Sequence, residues 1–338
     1  MACWAGLASW MLVGASCSTD SRNSEATEAG GPLMDEPVPA YAEVAARQNE
    51  RVRRITHFWS AAAFTMQWRD DEGKTRTETG EGYLMFVPPR RTGLVFKKLS
   101  ETYLWLGSDE ERFWLFAGGE DSVAYVGRHE NAFDAKADPL PMTIQPTQLA
   151  DLLGVFPFPD PAAAEGEGIR VERPASLILH TEAGRKVRTP NVTGWLVRIG
   201  GPWGERRVYL DPQTYRPIRV ELVARDTGRV AAWSELAEYK PVYGDSFAGG
   251  NFPLVPTRMV FHQGEPYRLD QQEALGLLKQ GEPVAVIELR DPRDTPTSGD
   301  WNPAMFSFEA IEKRMRPRER VVLDARCANP AVKGAAEK

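Results

Sequence analysis

Between residues 64 and 126 no interval is long or periodic enough for a helix, and this limits the fold more than any other feature of the sequence. Six short runs fill that stretch, at 64–68, 80–87, 93–96, 103–107, 112–116 and 122–126. Each is rich in aromatic and branched residues and bounded by Gly, Pro, Asp or charged pairs, the pattern of strands joined by tight turns. Parallel strands need a crossover of about a dozen residues or more, so these runs must pair antiparallel with their neighbours. Such a meander curls, and its inner face has to find apolar cover. Phe64, Met66 and Trp68 share one side of the first run; Tyr83, Met85 and Val87 share one side of the second. These side chains either fill a barrel or sandwich core or line the cavity of a half-open barrel. Periodicity leaves both readings open.

Flanking segments extend the sheet and add a few helices. Residues 42–58 carry an apolar stripe that includes Val44, Val52, Ile55, Phe58 and Trp59 among Glu and Arg, which predicts a helix. Around 140–158, Pro146, then Leu149, Leu152 and Leu153 on one face, and Gly154 past the end mark a short helix. Residues 159–168 read as a Pro/Ala/Glu/Gly loop. Further strands are expected at 177–180, 194–199, 207–210, 218–223, 230–233 and 284–289, and an edge or irregular strand at 252–256 because of its prolines. In 218–223, Ile218, Val220 and Leu222 alternate with Arg219 and Glu221, predicting one wet face. Residues 269–280 read as a helix. From 316 to 338 the chain reads as a charged, flexible tail. The expected fold is mainly β with a few helices, an incomplete antiparallel β-barrel.

The first residues call for a different reading. The stretch 4–15 is apolar and uncharged, too short to span a bilayer in a mature protein, and ends in Gly14-Ala15-Ser16-Cys17. Small residues before a Cys after an apolar run resemble the lipobox of bacterial lipoprotein signal peptides. The resemblance implies a signal peptide over 1–16, lipidation of Cys17, a disordered tether over 17–40 and a folded domain over 41–315. Ser18 after that Cys implies sorting to the outer membrane, facing the periplasm. A plain secretory signal cut near Ala15 is the alternative. With a net charge of -6 there is no electrostatic reason to expect nucleic acid as a partner.

Several short motifs, carried by their order along the chain, resemble the LolA/LolB-like lipoprotein carrier superfamily. They are Phe64-Thr65, the glycine-flanked Gly80-x-Gly82-x-Leu84-x-Phe86, the Pro88-Pro89-Arg90-Arg91 corner, Gly107-Ser108-Asp109 and Phe113-Trp114. Further on come Leu210-Asp211-Pro212-Gln213-Thr214, then Phe306-x-Phe308 after Trp301-Asn302-Pro303, similar to that family's closing strand. The resemblance implies a half-open barrel of roughly eleven strands, with helices lidding an apolar cavity that holds acyl chains. It also implies that an Arg in the corner, Arg90 or Arg91, latches the lid; a solvated turn is the other reading of that corner.

No Gly-x-Ser-x-Gly, P-loop, dinucleotide-binding or His-Glu-x-x-His motif occurs. His57, His129, His180 and His262 stand far apart, so no catalytic residue, metal ligand or cofactor is assigned. The acidic cluster 70–72 reads as a hairpin tip and Asn191-Val192-Thr193 as a chance glycosylation match. The expected function is a lipid-anchored envelope protein that binds acyl chains or lipoproteins and is not an enzyme. The cavity lining expected from alternation is Phe64, Met66, Trp68, Tyr83, Met85, Phe96, Trp105 and Trp114, with Leu149, Leu152 and Leu153 from the lid. A structural or sensory lipoprotein docking another envelope protein is the alternative, and a hydrolase without a recognisable motif comes third.

Overall fold

The computed structural model describes residues 37–69, 74–119, 122–132, 146–174, 194–201, 204–225, 227–247, 250–264, 283–296 and 301–324. Cys17 with its leader and most of its tether, the acidic cluster 70–72, the strand at 177–180 with His180, the Asn191 motif and the helix at 269–280 lie outside these, as does the side chain of Trp68.

The first half is the expected meander. Strands β1 (Phe58–Arg69), β2 (Thr75–Val87), β3 (Arg91–Lys98), β4 (Glu101–Ser108), β5 (Arg112–Ala117) and β6 (Val123–Arg128) pair antiparallel in sequence order. The second half adds β7 (Val171–Glu172), β8 (Trp195–Gly201), β9 (Gly204–Leu210), β10 (Pro217–Ala224), β11 (Val230–Pro241), β12 (Leu254–Gln263) and β13 (Pro283–Arg293), also antiparallel. β13 joins β1, so the halves make one 14-stranded sheet in the order β14-β6-β5-β4-β3-β2-β1-β13-β12-β11-β10-β9-β8-β7. The strand count exceeds the expected eleven or so. One pair is parallel: β14 (Glu319–Val322) runs beside β6 in the stretch read as a flexible tail, and Leu323 after it is buried.

Among the described residues the sheet is open, since its end strands β14 and β7 are not hydrogen-bonded to each other. It also curls. The short segment 146–152 rests on β4 and β5 on one side and on β10 on the other. In a flat sheet β4 and β10 would stand seven strand spacings apart, roughly 34 Å, far beyond the reach of one or two helical turns.

Among the described residues four helices accompany the sheet: α1 (Tyr41–Arg53), α2 (Leu149–Leu152, preceded by a 3-10 turn at Pro146–Gln148), α3 (Pro161–Glu167) and α4 (Phe308–Met315). Three of them correct the sequence reading. α1 stops at Arg53 rather than Phe58, because from Phe58 a period of two takes over: Phe58 faces the core beneath α1 while Trp59 faces the opposite side. α3 replaces the expected loop at 159–168. The Asp160 side chain accepts the Ala162 N–H, Pro161 follows at the first position, and Gly168 closes the helix at φ 69°.

Phe306 and Phe308 belong to no closing strand. Asn302 caps a 3-10 turn at Pro303–Phe306, and Ser307 then caps α4, accepting from Ala310. Phe308 and Ile311 point inward and cover Trp114 and Phe116. The second half differs too. Arg219 and Glu221 are buried rather than wet; their charges pair at 2.8 Å. β12 is no edge strand, since it lies between β11 and β13; Pro256 sits where only β11 is paired, the β13 ladder beginning at Arg258.

Candidate functional site

The sheet's two faces have separate fillings. Phe58, Phe64, Leu84, Phe86, Phe96, Leu106 and Leu115 share the inner core with α1, α2 and the strands of the second half. Met85, Val95, Trp105, Trp114, Phe116 and Val126 form a second core under α4. Alternation along each strand separates these sets, because neighbouring side chains leave opposite faces.

The expected cavity lining is therefore split. Phe64, Phe96, Leu149, Leu152 and Leu153 lie on the inner side, with Met66 packed partly buried against them. Tyr83, Met85, Trp105 and Trp114 lie on the other face, out of reach of anything held under α2. The inner hollow beneath the lid is largely filled by the protein itself: Leu149, Leu152 and Leu153 are at most 2 % exposed, packed with Val155, Phe156 and Phe158.

Beside α2 lies an open groove of about 930 Å³, within the usual range for small-molecule sites. α1 and the turn after it supply one wall through Asn49, Val52 and Ile55, and α2 with the chain after it supplies the other through Ala150, Val155 and Phe156. Phe86 and the Pro88-Pro89-Arg90 corner close one end, and Arg206 of β9 reaches in at another. Of the residues expected to serve the site, Arg90 is the one that borders it.

α1 also holds the chain that follows α2. Gln48 donates to the carbonyls of Gly154 and Phe156, at 3.3 and 2.8 Å, and Asn49 exchanges two bonds with the backbone of Phe158. Tyr41 donates its hydroxyl to the Pro159 carbonyl at 2.9 Å. Arg51 donates to the Gly154 carbonyl and to that of Leu254. These bonds satisfy backbone groups of an irregular segment that is buried. On its other side, Ser234 of β11 donates to the Leu152 carbonyl. Gln48 and Arg51 thus tie the segment after α2 to α1. Arg90 and Arg91 engage Glu110 across the adjoining turn, the first through its carbonyl and the second through its carboxylate.

No protein-family model matches this chain, and no curated protein does. Among solved structures it is similar to a DUF1329 family protein from Desulfovibrio piger (TM-score 0.43, 11% identity, 80% of this chain and 96% of that one). It is also similar to an outer membrane lipoprotein-sorting protein domain from Vibrio parahaemolyticus (TM-score 0.43, 14% identity, 81% of this chain and 98% of that one). Likeness this remote carries nothing about function.

One nearly buried ion pair at the groove has no counterpart among the expected site residues. Asp151 of α2 pairs with Arg206 at 2.7 Å, and both side chains are nearly buried. Burial pushes the Asp151 carboxyl above its ordinary value, against the opposing pull of Arg206. The Arg206 guanidinium also lies 3.9 Å over the Phe156 ring. A single acid inside the otherwise apolar Leu149–Leu152 segment was the available clue, since such a residue must find a partner if buried. The Thr147 hydroxyl, on the same wall, is buried without a hydrogen-bond partner.

Proposed function

We propose that this chain is a non-catalytic binding protein of the bacterial envelope that holds an apolar ligand, an acyl chain, in the groove between α1 and α2. The observation that carries this reading is the groove itself: about 930 Å³, walled largely by apolar side chains, and flanked by a short helix pinned by identifiable hydrogen bonds. The physical need is solvation. Each CH₂ kept from water is worth about 0.8 kcal/mol, so a chain of some sixteen carbons carries a gross hydrophobic cost of about 12 kcal/mol in water. A recessed apolar surface offsets part of that. The envelope location rests on the apolar leader and Cys17, through which the protein would be tethered to a membrane; Cys17→Ala should then release it from membrane fractions.

A second reading is favoured by one specific observation. Leu149, Leu152 and Leu153 fill the hollow they were expected to cover, as they would in a scaffold that docks another envelope protein. One experiment separates the two. Delipidated protein is titrated with a fluorescent acyl probe, alone and against unlabelled fatty acid. Saturable, displaceable uptake supports the ligand reading; absence of uptake leaves the scaffold.

A further inference from the structure

Asp151 and Arg206 both border the groove, and their ion pair is nearly buried, with side chains 9% and 13% exposed. A guanidinium fork accepts any carboxylate in the same planar geometry. A second carboxylate entering the groove can therefore replace the first like for like, without leaving Arg206 as a buried, unpaired cation. We propose that the groove takes an amphiphile with a single carboxylate head, which pairs with Arg206 in place of Asp151 while its hydrocarbon body lies along Ala46, Pro88, Ala150 and Pro157. This deepens, and rests on, the reading of the groove as an apolar ligand site.

The exchange has a proton attached to it. Two carboxylates beside one guanidinium in a largely apolar setting do not both stay ionised; one takes a proton from solvent. Asp151 is the acceptor, since burial already disfavours its charge and the ligand now holds its partner. The charged groups around it are Arg206 from β9 and, bordering the same groove, Glu50 and Arg53 from α1 and Arg90 from the corner. α2 carries no other charged residue. Thr147, four residues before Asp151 on the same wall, offers its unpartnered hydroxyl as an acceptor for the neutral carboxyl. Ligand binding thus consumes one proton and removes the ion pair that ties α2 to β9.

The test is isothermal titration of wild-type protein with sodium decanoate and with decan-1-ol, in two buffers of different ionisation enthalpy, between pH 6 and pH 8. Decanoate should bind with uptake of close to one proton, its affinity falling up to tenfold for each pH unit, while decanol binds with no uptake and no pH dependence. In Asp151→Asn, decanoate should bind at least tenfold tighter at pH 8, without proton uptake. The wild-type proton count decides the matter even if that variant fails to fold. Decanol binding alongside decanoate that shows no proton uptake would overturn the proposal and leave the apolar site standing. Failure of both ligands to bind would remove the site and the proposal together.

Discussion

Arg51 of α1 donates its guanidinium to the carbonyl of Gly154, the glycine at φ +67° that follows α2. Gln48, one turn earlier, meets the same carbonyl at 3.3 Å. The two side chains also bond each other, at 2.9 Å, so the α1 side of the latch is pre-formed before it engages the lid. Replacing Arg51 with Met keeps the stem but takes the donor from the Leu254 carbonyl and leaves the Gly154 carbonyl with Gln48. The expected cost is about 1–3 kcal/mol, that of leaving a buried acceptor without its donor. Urea unfolding should register the loss, and hydrogen exchange should quicken at the amides of 153–155. Unchanged exchange there would mean that the bonds of Gln48, Asn49 and Ser234, with apolar packing, hold the segment without Arg51.

The groove and the filled hollow beneath the lid make opposite predictions for two neighbouring positions. Ala150 borders the groove and is partly exposed, whereas Leu153 is 1 % exposed in the inner core. Ala150→Trp should block uptake of an acyl probe while shifting the urea midpoint little, as surface changes usually stay within about 0.5 kcal/mol. Leu153→Arg should lower stability by more than about 4 kcal/mol, since it puts an unpaired charge in a packed core. If Ala150→Trp binds probe as well as wild type does, the ligand lies elsewhere.

Trp114 packs flat against Gly107 on the face under α4. A Cβ added at Gly107 would come within 2.6 Å of the Trp114 indole nitrogen. Phe308 stands 6.1 Å from that ring on the helix side, which limits its retreat. Gly107→Ala should therefore destabilise by about 1–3 kcal/mol through overpacking and shift tryptophan emission. Probe affinity should not change, because this face is not the groove's. A loss of affinity matching the loss of packing would show that the two faces are coupled.

The order of strands was legible because each run in the first half is short and each turn carries its own punctuation. The face of each side chain was not. Leu104, Trp105 and Leu106 are all apolar, and the structure explains why: Leu106 faces the inner core while Trp105 is covered by the α4 region. A strand buried on both sides loses the alternation that would orient it. The helices at 161–167 and 308–315 were missed for a different reason. Their caps, Asp160 and Ser307, were present in the sequence, but seven residues dominated by Ala and Glu give no apolar stripe, and Phe306-x-Phe308 imitates a strand. The latch was unreadable because it joins side chains of α1 to backbone carbonyls roughly a hundred positions away, and carbonyls carry no sequence signal.

The docking of α4 should respond to acid through one pair. Glu309, in the first turn of α4, receives both guanidinium nitrogens of Arg112, at 2.6 and 3.3 Å. Those bonds, with help from its own backbone N–H, lower the Glu309 carboxyl from 4.5 to about 2. A carboxyl depressed by folding contributes stability that is present above the unfolded value and is lost as pH falls through the folded one. The window is therefore from about pH 4.5 down to about pH 2. Its size is small, because the Glu309 side chain is 64% exposed and water screens the pair; below about 1 kcal/mol is expected. Glu309→Gln should cost that amount at pH 7 and almost nothing at pH 2, so the two urea midpoints should converge on acidification. Tryptophan emission can follow the same titration, since Trp114 lies under α4. Midpoints that stay equally separated across this range would mean that Glu309 acts through packing or capping of the helix rather than through its charge.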